Sequence, residues 1–254
     1  MKAFYINLDR ATERRANIEK SFSAYAGPNW QLARFKAIEA AECADVPGPI
    51  RPAEKACFLS HAAVIANQRG TSESFLMLED DTCFGPGTFR TLDRILAMAK
   101  GDEWDILFTD VIAQDTFTIN TLLELRKALQ PTGSVITLNL TTFPFFGANS
   151  YLVNHRAVEK LGALLQPLCC QVAYDIALMH LVNAGTLTAH VTFPFLTAVS
   201  RGANTTTSIQ DPEEIVNLIY DAFRRMVWIH GTAIDRCEFQ AAWASQEGKH
   251  QIRG

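Results

Sequence analysis

Phe75-Leu76-Met77-Leu78-Glu79-Asp80-Asp81 decides how this chain is read. Its apolar part shows no alternation, which marks a strand covered on both faces, as the central strands of α/β sheets are. The run stops abruptly in three carboxylates. In open α/β sheets, ligands gather at the carboxyl ends of strands. Alternation along the strand places Glu79 and Asp81 on one side and Asp80 on the other. Two converging carboxylates there suit a hard divalent cation that is shared with phosphates. The bland reading of the same triplet is a solvated acidic turn.

On either side of that strand, β-rich runs alternate with helical patterns, the signature of an α/β fold. Before it, the residues predict a strand over 3–8 and a helix over 11–25, with Ile18, Phe22 and Tyr25 on one face and Asp9 as cap. A second helix spans 52–68 and stops near Gly70. After it come a helix through Phe89, Leu92, Ile95, Leu96 and Ala99, ended by Gly101, and a buried strand over 105–109. A helix over 119–130 is broken by Pro131 and Gly133. Strands over 135–140 and 149–153 flank a turn at 143–147, followed by helices over 156–166 and 173–183 and a strand over 187–193. Asp211-Pro212-Glu213-Glu214 has the cap, first-turn proline and acids of a helix start, and that helix is expected to reach His230. The polar stretch 201–210 is the one plausible boundary. It divides a domain of residues 1–205 from a C-terminal helical extension, 206–254, packed on it.

Composition narrows the partners. A net charge of −4 gives no electrostatic reason to expect nucleic acid. The six cysteines (43, 57, 83, 169, 170 and 237) show no C-x-x-C spacing, and the opening MKAFYINLDR is too short in apolar residues for a signal peptide. Six reduced thiols in a cytoplasmic protein is the simplest expectation. No run approaches the ~18 apolar residues of a membrane span.

Further segments carry chemistry. Asn7-Leu8-Asp9-Arg10, with Arg14 and Arg15 following, places three arginines at a strand-to-helix junction. Backbone N–H groups and guanidinium forks there suit a diphosphate, although a solvated basic helix face has the same residues. Ser60 and His61 lie inside an apolar helix, where a histidine is commonly a satisfied core residue. Asp175 stands in the first turn of an apolar helix. There it either compensates the helix dipole or serves as a general base for an acceptor hydroxyl. In the last predicted helix, Ile215, Leu218, Ile219, Ala222, Phe223, Met226 and Val227 form an apolar stripe beside Arg224 and Arg225. Packing on the domain, a homodimer seam and peripheral contact with a membrane surface all fit such a stripe.

These segments, in this order, resemble glycosyltransferase family 25, the bacterial lipopolysaccharide and lipooligosaccharide galactosyltransferases related to collagen galactosyltransferases. The matching stretches are Ile6-Asn7-Leu8-Asp9-Arg10 with Arg14-Arg15, Cys57-Phe58-Leu59-Ser60-His61, and Leu78-Glu79-Asp80-Asp81. Gly147-Ala148-Asn149-Ser150-Tyr151-Leu152-Val153 with Ala157-Val158-Glu159-Lys160-Leu161 follows, then Tyr174-Asp175. Ala148 and Ser150 depart from the family's usual Gly-Thr-x-Gly-Tyr pattern. The resemblance implies a GT-A-like fold with a mixed, mostly parallel sheet, a UDP-sugar donor (often UDP-galactose), Mn²⁺ or Mg²⁺, a glycan or glycolipid acceptor, and inversion at the anomeric carbon. Asp81 and Glu79 would then hold the metal. Asn7, Leu8, Arg10, Arg14, Ser60, His61, Glu79 and Asp80 would bind the donor, and Asp175 would be the base. The implied place of work is the cytoplasm or the cytoplasmic face of the inner membrane.

Two other readings compete. One is a protein of the same fold that binds sugar nucleotides without turnover. The other is a signalling receiver domain, for which the acidic pair comes too late in the chain and Asp110 follows it too soon.

Overall fold

The computed structural model describes residues 1–98, 104–201 and 215–251. Strand β1 (Lys2–Asn7) opens the chain and buries Ala3, Tyr5 and Asn7; helix α1 (Thr12–Tyr25) leads to strand β2 (Gln31–Lys36). Helix α2 (Pro52–Asn67) precedes β3 (Phe75–Glu79), and a turn at Asp80-Asp81 enters β4 (Thr82–Cys83). Next come α3 (Thr88–Met98), β5 (Ile106–Phe108), β6 (Ile112–Ala113), α4 (Thr116–Leu129), β7 (Ile136–Asn139), β8 (Phe145–Phe146) and β9 (Ser150–Val153). Helices α5 (Val158–Leu165) and α6 (Tyr174–Asn183), strands β10 (Ala189–Phe193) and β11 (Ala198–Val199), and helices α7 (Ile215–Val227) and α8 (Ala233–Gln251) follow.

Seven strands form the central sheet in the order β2-β1-β3-β9-β5-β10-β7. The pairs β1/β2, β1/β3 and β5/β10 are parallel, while β9 runs against both its neighbours and β7 against β10. Five strands therefore share one direction. The α/β class and the mixed, mostly parallel sheet are as the sequence predicts. Register places the tips together: Ile6 lies beside Glu79, and Asn7 beside Lys36. The β3 tip thus has a parallel neighbour on one side and an antiparallel one on the other, and it lies at the carboxyl end of the parallel strands, where ligands bind in open α/β sheets.

The lack of alternation in β3 has its expected cause. Phe75 and Met77 enter one apolar cluster, with α2, α5, α6 and α7, while Leu76 and Leu78 enter the other, with α1 and α3. All four are at most 1% exposed. Burying a side chain of this size contributes about 1.5–3 kcal/mol, so neither face of β3 has room for a polar residue before Glu79.

The structure corrects several local expectations. Asp9 does not cap α1; Ala11 occupies that position and no side chain caps the helix. Asp9 instead meets Arg34 at 2.6 Å and Lys36 at 2.9 Å, both on β2, a strand the sequence reading did not find. Only half-buried residues fill its interior, so its pattern is weak. Helix α7 ends at Val227, short of His230, because the following residues pair with the 195 region: Phe195 N–H donates to Val227 O, and Ile229 N–H to Phe195 O. Within 143–147, expected as a turn, Phe145–Phe146 pairs with β6. The expected Gly101 stop, the boundary at 202–210 and the helix start at 211–214 lie outside the described residues. The stripe of α7 turns inward at Ile219, Ala222, Phe223 and Val227, while Leu218 stays exposed. All six cysteines are free thiols.

Candidate active site

Strand register brings the exits of β1 and β3 together. The chain leaves β1 at Asn7, beside the tip of β3, and the segment through Arg10 and Arg14 crosses over that tip. Helix α2 begins with proline in its first turn, and Glu54 receives the Arg51 N–H at 2.8 Å. One turn further along, α2 presents Cys57, Ser60 and His61 toward β3. The result is a cleft of about 140 Å³ lined by, among others, Leu8, Arg10, Arg14, Ser60, His61, Glu79, Asp80 and Asp81. Asn7, outside that lining, bonds Asp80.

The three carboxylates have different surroundings. Glu79 is 36% exposed at its side chain, and its Oε1 stands 3.5 Å from His61 Nε2. Burial works to raise its pKa, but the bond and charge of His61 and the charge of Arg14 outweigh it, so the net shift is downward. Asp80 has both oxygens engaged: Asn7 Nδ2 donates to one at 2.6 Å, and Arg14 closes on the other. Asp81 receives Arg14 on Oδ2 at 3.3 Å, whereas its Oδ1 is buried with no hydrogen-bond partner among the described residues. Burial, then the negative charge of Glu79, pushes the Asp81 carboxyl up to about 7 against the pull of Arg14.

The expected alternation of the triplet stops at Glu79. Asp80 and Asp81 belong to a turn, closed by Thr82 Oγ1 donating to Glu79 O at 2.8 Å, and in that turn Arg14 reaches both.

Buried polar atoms are nearly always paired. Here Asp81 Oδ1, Asp110 Oδ1 and Asn149 Nδ2 are not, and they stand at the exit of β3, the exit of β5 and the entry of β9. This is one end of the sheet. An orphaned carboxylate oxygen beside Glu79 fits a hard divalent cation, which takes oxygen ligands. Asp80, with Asn7 on one oxygen and Arg14 on the other, is the better satisfied of the two aspartates.

The remaining predicted residues fall into two groups. Arg10 lines the cleft and pairs with Glu39. Asn7 and Ser60 are buried connectors. Asn7 Nδ2 bonds Ala11 O and Asp80, while its Oδ1 accepts from Arg34; Ser60 Oγ donates to Ala56 O and accepts from Ile38 N–H. They shape the cleft instead of presenting free polar groups to it. His61 is 1% exposed, stacked on Tyr174 at 4.3 Å, with Nδ1 2.9 Å from the Tyr151 hydroxyl. Asp175 is absent from the residues lining the cleft. Its carboxylate accepts the N–H groups of Gly147 and Ile176, both at 2.9 Å. Burial raises its pKa, those two bonds pull it down, and the charge of Glu79 raises it again, for a net rise.

Sequence reasoning missed Arg34 and the pair of Asp110 with Arg224. Arg34 sits on the unrecognised β2. Asp110 entered the sequence reading as a strand end and in the receiver-domain comparison, and nothing local joins it to a residue 114 positions away.

One comparison with known proteins bears on this layout. A family model described as glycosyltransferase family 25 (LPS biosynthesis protein) matches residues 1–178. No curated protein matches the chain. Among solved structures, the apo form of the glycosyltransferase GlyE from Streptococcus pneumoniae TIGR4 is 9% identical over 74% of this chain and 44% of its own, with a TM-score of 0.42. The galactosyltransferase LgtC, in complex with donor and acceptor sugar analogs, is 10% identical over 75% of this chain and 73% of its own, with a TM-score of 0.37. Mouse xyloside xylosyltransferase 1 is 11% identical over 75% and 71%, with a TM-score of 0.39. This chain thus spans less than half the length of GlyE, and likenesses at these scores carry no argument about substrate or mechanism. The family match is of another kind, since it covers the β1 exit, α2, the β3 tip, β9 and the start of α6. With the mixed sheet it makes the fold GT-A-like. The chain belongs to glycosyltransferase family 25.

Proposed function

We propose that this protein transfers a hexose, galactose in the first instance, from a UDP-sugar to a glycan acceptor such as a lipopolysaccharide or lipooligosaccharide core, with inversion at the anomeric carbon. The observation that carries the reading is the buried, unpartnered Asp81 Oδ1 beside Glu79 at the β3 tip. A Mn²⁺ or Mg²⁺ ion held by Asp81 and Glu79 would supply positive charge against which a nucleoside diphosphate can leave.

The protein's own groups do the rest. Leu8 and Arg10 offer the donor an apolar wall and a guanidinium at the β1 exit, while Arg14 orients Asp80 and Asp81. Asp175 takes the proton of the acceptor hydroxyl. As it does so, the acceptor oxygen bonds to the anomeric carbon and the bond from that carbon to the diphosphate oxygen breaks. Work at the cytoplasmic face of the inner membrane follows from such an acceptor. Among the described residues, no helix is long and apolar enough to cross a membrane.

A panel of UDP-sugars, each with and without Mn²⁺, is the direct test. One donor should raise the melting temperature only with the metal, and UDP should be released when a glycan acceptor is added. Stabilisation without release would make this a sugar-nucleotide-binding protein. No stabilisation by any UDP-sugar would overturn the reading.

A further inference from the structure

The cleft contains a second set of ligating atoms, of different chemistry from the carboxylate pair. Cys57 and His61 stand one turn apart on α2, so their side chains share a face. Glu79 meets them from the tip of β3. One ligand atom from each of Cys57, His61 and Glu79 lies within 4.8 Å of the other two. His61 Nε2 and Glu79 Oε1 are already 3.5 Å apart. Ligand atoms on a tetrahedral zinc stand about 3.3–3.8 Å apart, given bonds of about 2.0–2.3 Å. Binding would draw the three atoms together by at most about 1–1.5 Å.

His61 is also held as a metal-binding imidazole is held, through its other nitrogen. Nδ1 is 2.9 Å from the Tyr151 hydroxyl, which in turn lies 2.8 Å from the Tyr174 hydroxyl. The ring cannot swing away, because Tyr174 stacks on it at 4.3 Å with an interplanar angle of 15°. Nε2 is therefore presented to Glu79 and to the cleft.

The geometry points to a zinc site formed by Cys57 Sγ, His61 Nε2 and Glu79 Oε1, with its fourth position open to the cleft. Sulfur, nitrogen and one carboxylate oxygen are zinc's ligands, whereas Mn²⁺ and Mg²⁺ favour oxygen alone. On binding, the Cys57 thiol and the Nε2–H of His61 each give a proton to solvent as the sulfur–zinc and nitrogen–zinc bonds form, and His61 keeps its Nδ1 proton toward the Tyr151 hydroxyl. Glu79 belongs to both sets, so zinc withdraws it from the hard-cation site and the two ions exclude each other. That exclusion rests on the placement of Mn²⁺ at Asp81 and Glu79; zinc binding itself does not.

The test is a zinc titration of the intact protein against a chromophoric chelator, repeated with Co²⁺ as a spectroscopic substitute. Cys57→Ser should weaken zinc binding at least about tenfold and abolish the thiolate-to-cobalt charge-transfer band. Glu79→Gln, which keeps the side-chain shape, should weaken zinc similarly and leave the band weaker but present. Asp81→Asn should retain zinc affinity and the cobalt band while losing Mn²⁺. Equal zinc affinity in Cys57→Ser and the parent protein, or a cobalt spectrum without a thiolate band, would overturn the site, as would loss of zinc in Asp81→Asn. Zinc binding with no Mn²⁺ binding in the parent protein would leave the zinc site standing and sink only the assignment of Mn²⁺ to the carboxylates.

Discussion

Asp81 is held at a cost. A carboxylate buried with one oxygen unpartnered opposes folding in its charged form. Its folded pKa, about 7, lies above its ordinary value of 3.8, so between these the folded state holds the proton more tightly than the unfolded chain. Stability from this group is therefore present at lower pH and lost as pH rises through about 7. Asp81→Asn should accordingly raise the melting temperature of the metal-free protein at pH 8 by about 2–4 °C for each kcal/mol recovered, and the gain should shrink toward pH 5. Calorimetry at the two pH values checks this. A variant that melts below the parent at pH 8 would mean that Asp81 is well satisfied as it stands. Asp175 makes a different prediction. Asp175→Asn keeps the shape but cannot take a proton. It should lower kcat by about 10²-fold or more while leaving donor affinity nearly unchanged in a UDP-sugar titration. Weakened donor binding instead would reassign it to positioning.

At the level of elements, the β8–β9 connection places Asp175. Gly147 adopts a φ of +87°, and its N–H donates to the Asp175 carboxylate. A Cβ at this position would lie 3.3 Å from Ile112 Cγ1 while the backbone is held where L-residues are strained. Gly147→Ala should therefore cost about 1–3 kcal/mol in urea unfolding and, by shifting the amide, should alter kcat more than donor affinity. Much of this level was legible in advance. Strands β1, β3, β5, β7, β9 and β10 and helices α1 to α6 were found from apolar runs, apolar periods or helix start and stop residues. Strand β2 escaped, since its half-buried edge gives none, and with it went Arg34, which anchors Asn7 and Asp9.

The whole molecule is tied together by a buried ion pair between distant parts of the chain. Arg224 on α7 donates to Asp110 Oδ2 through Nε at 3.0 Å and Nη2 at 2.5 Å, with side chains 5% and 0% exposed. This joins the C-terminal helices to the exit of β5, and Arg224 also lowers the pKa values of Glu79 and Asp81 by its charge. Arg224→Met leaves Asp110 charged and alone in the interior, and should cost about 3–5 kcal/mol. Adding Asp110→Asn should recover part of that loss in urea titrations. If the double variant is no more stable than the single, the pair is not what Arg224 contributes.

The linear order of residues carried the strand that ends in carboxylates, the arginines after β1, the Ser60-His61 turn of α2 and the family they jointly define. Each is a local pattern, written in the period of one element or in residues a few positions apart. Which carboxylate stays open was decided only in three dimensions. Asn7 and Arg14 engage Asp80, leaving an oxygen of Asp81 unpartnered, and Tyr151 and Tyr174 lock the ring of His61. These relations depend on distant residues, Asn7 and Asp80 73 positions apart and His61 and Tyr151 90 apart, meeting at one end of a sheet. Hydrogen bonding and burial are properties of that meeting, not of any segment by itself.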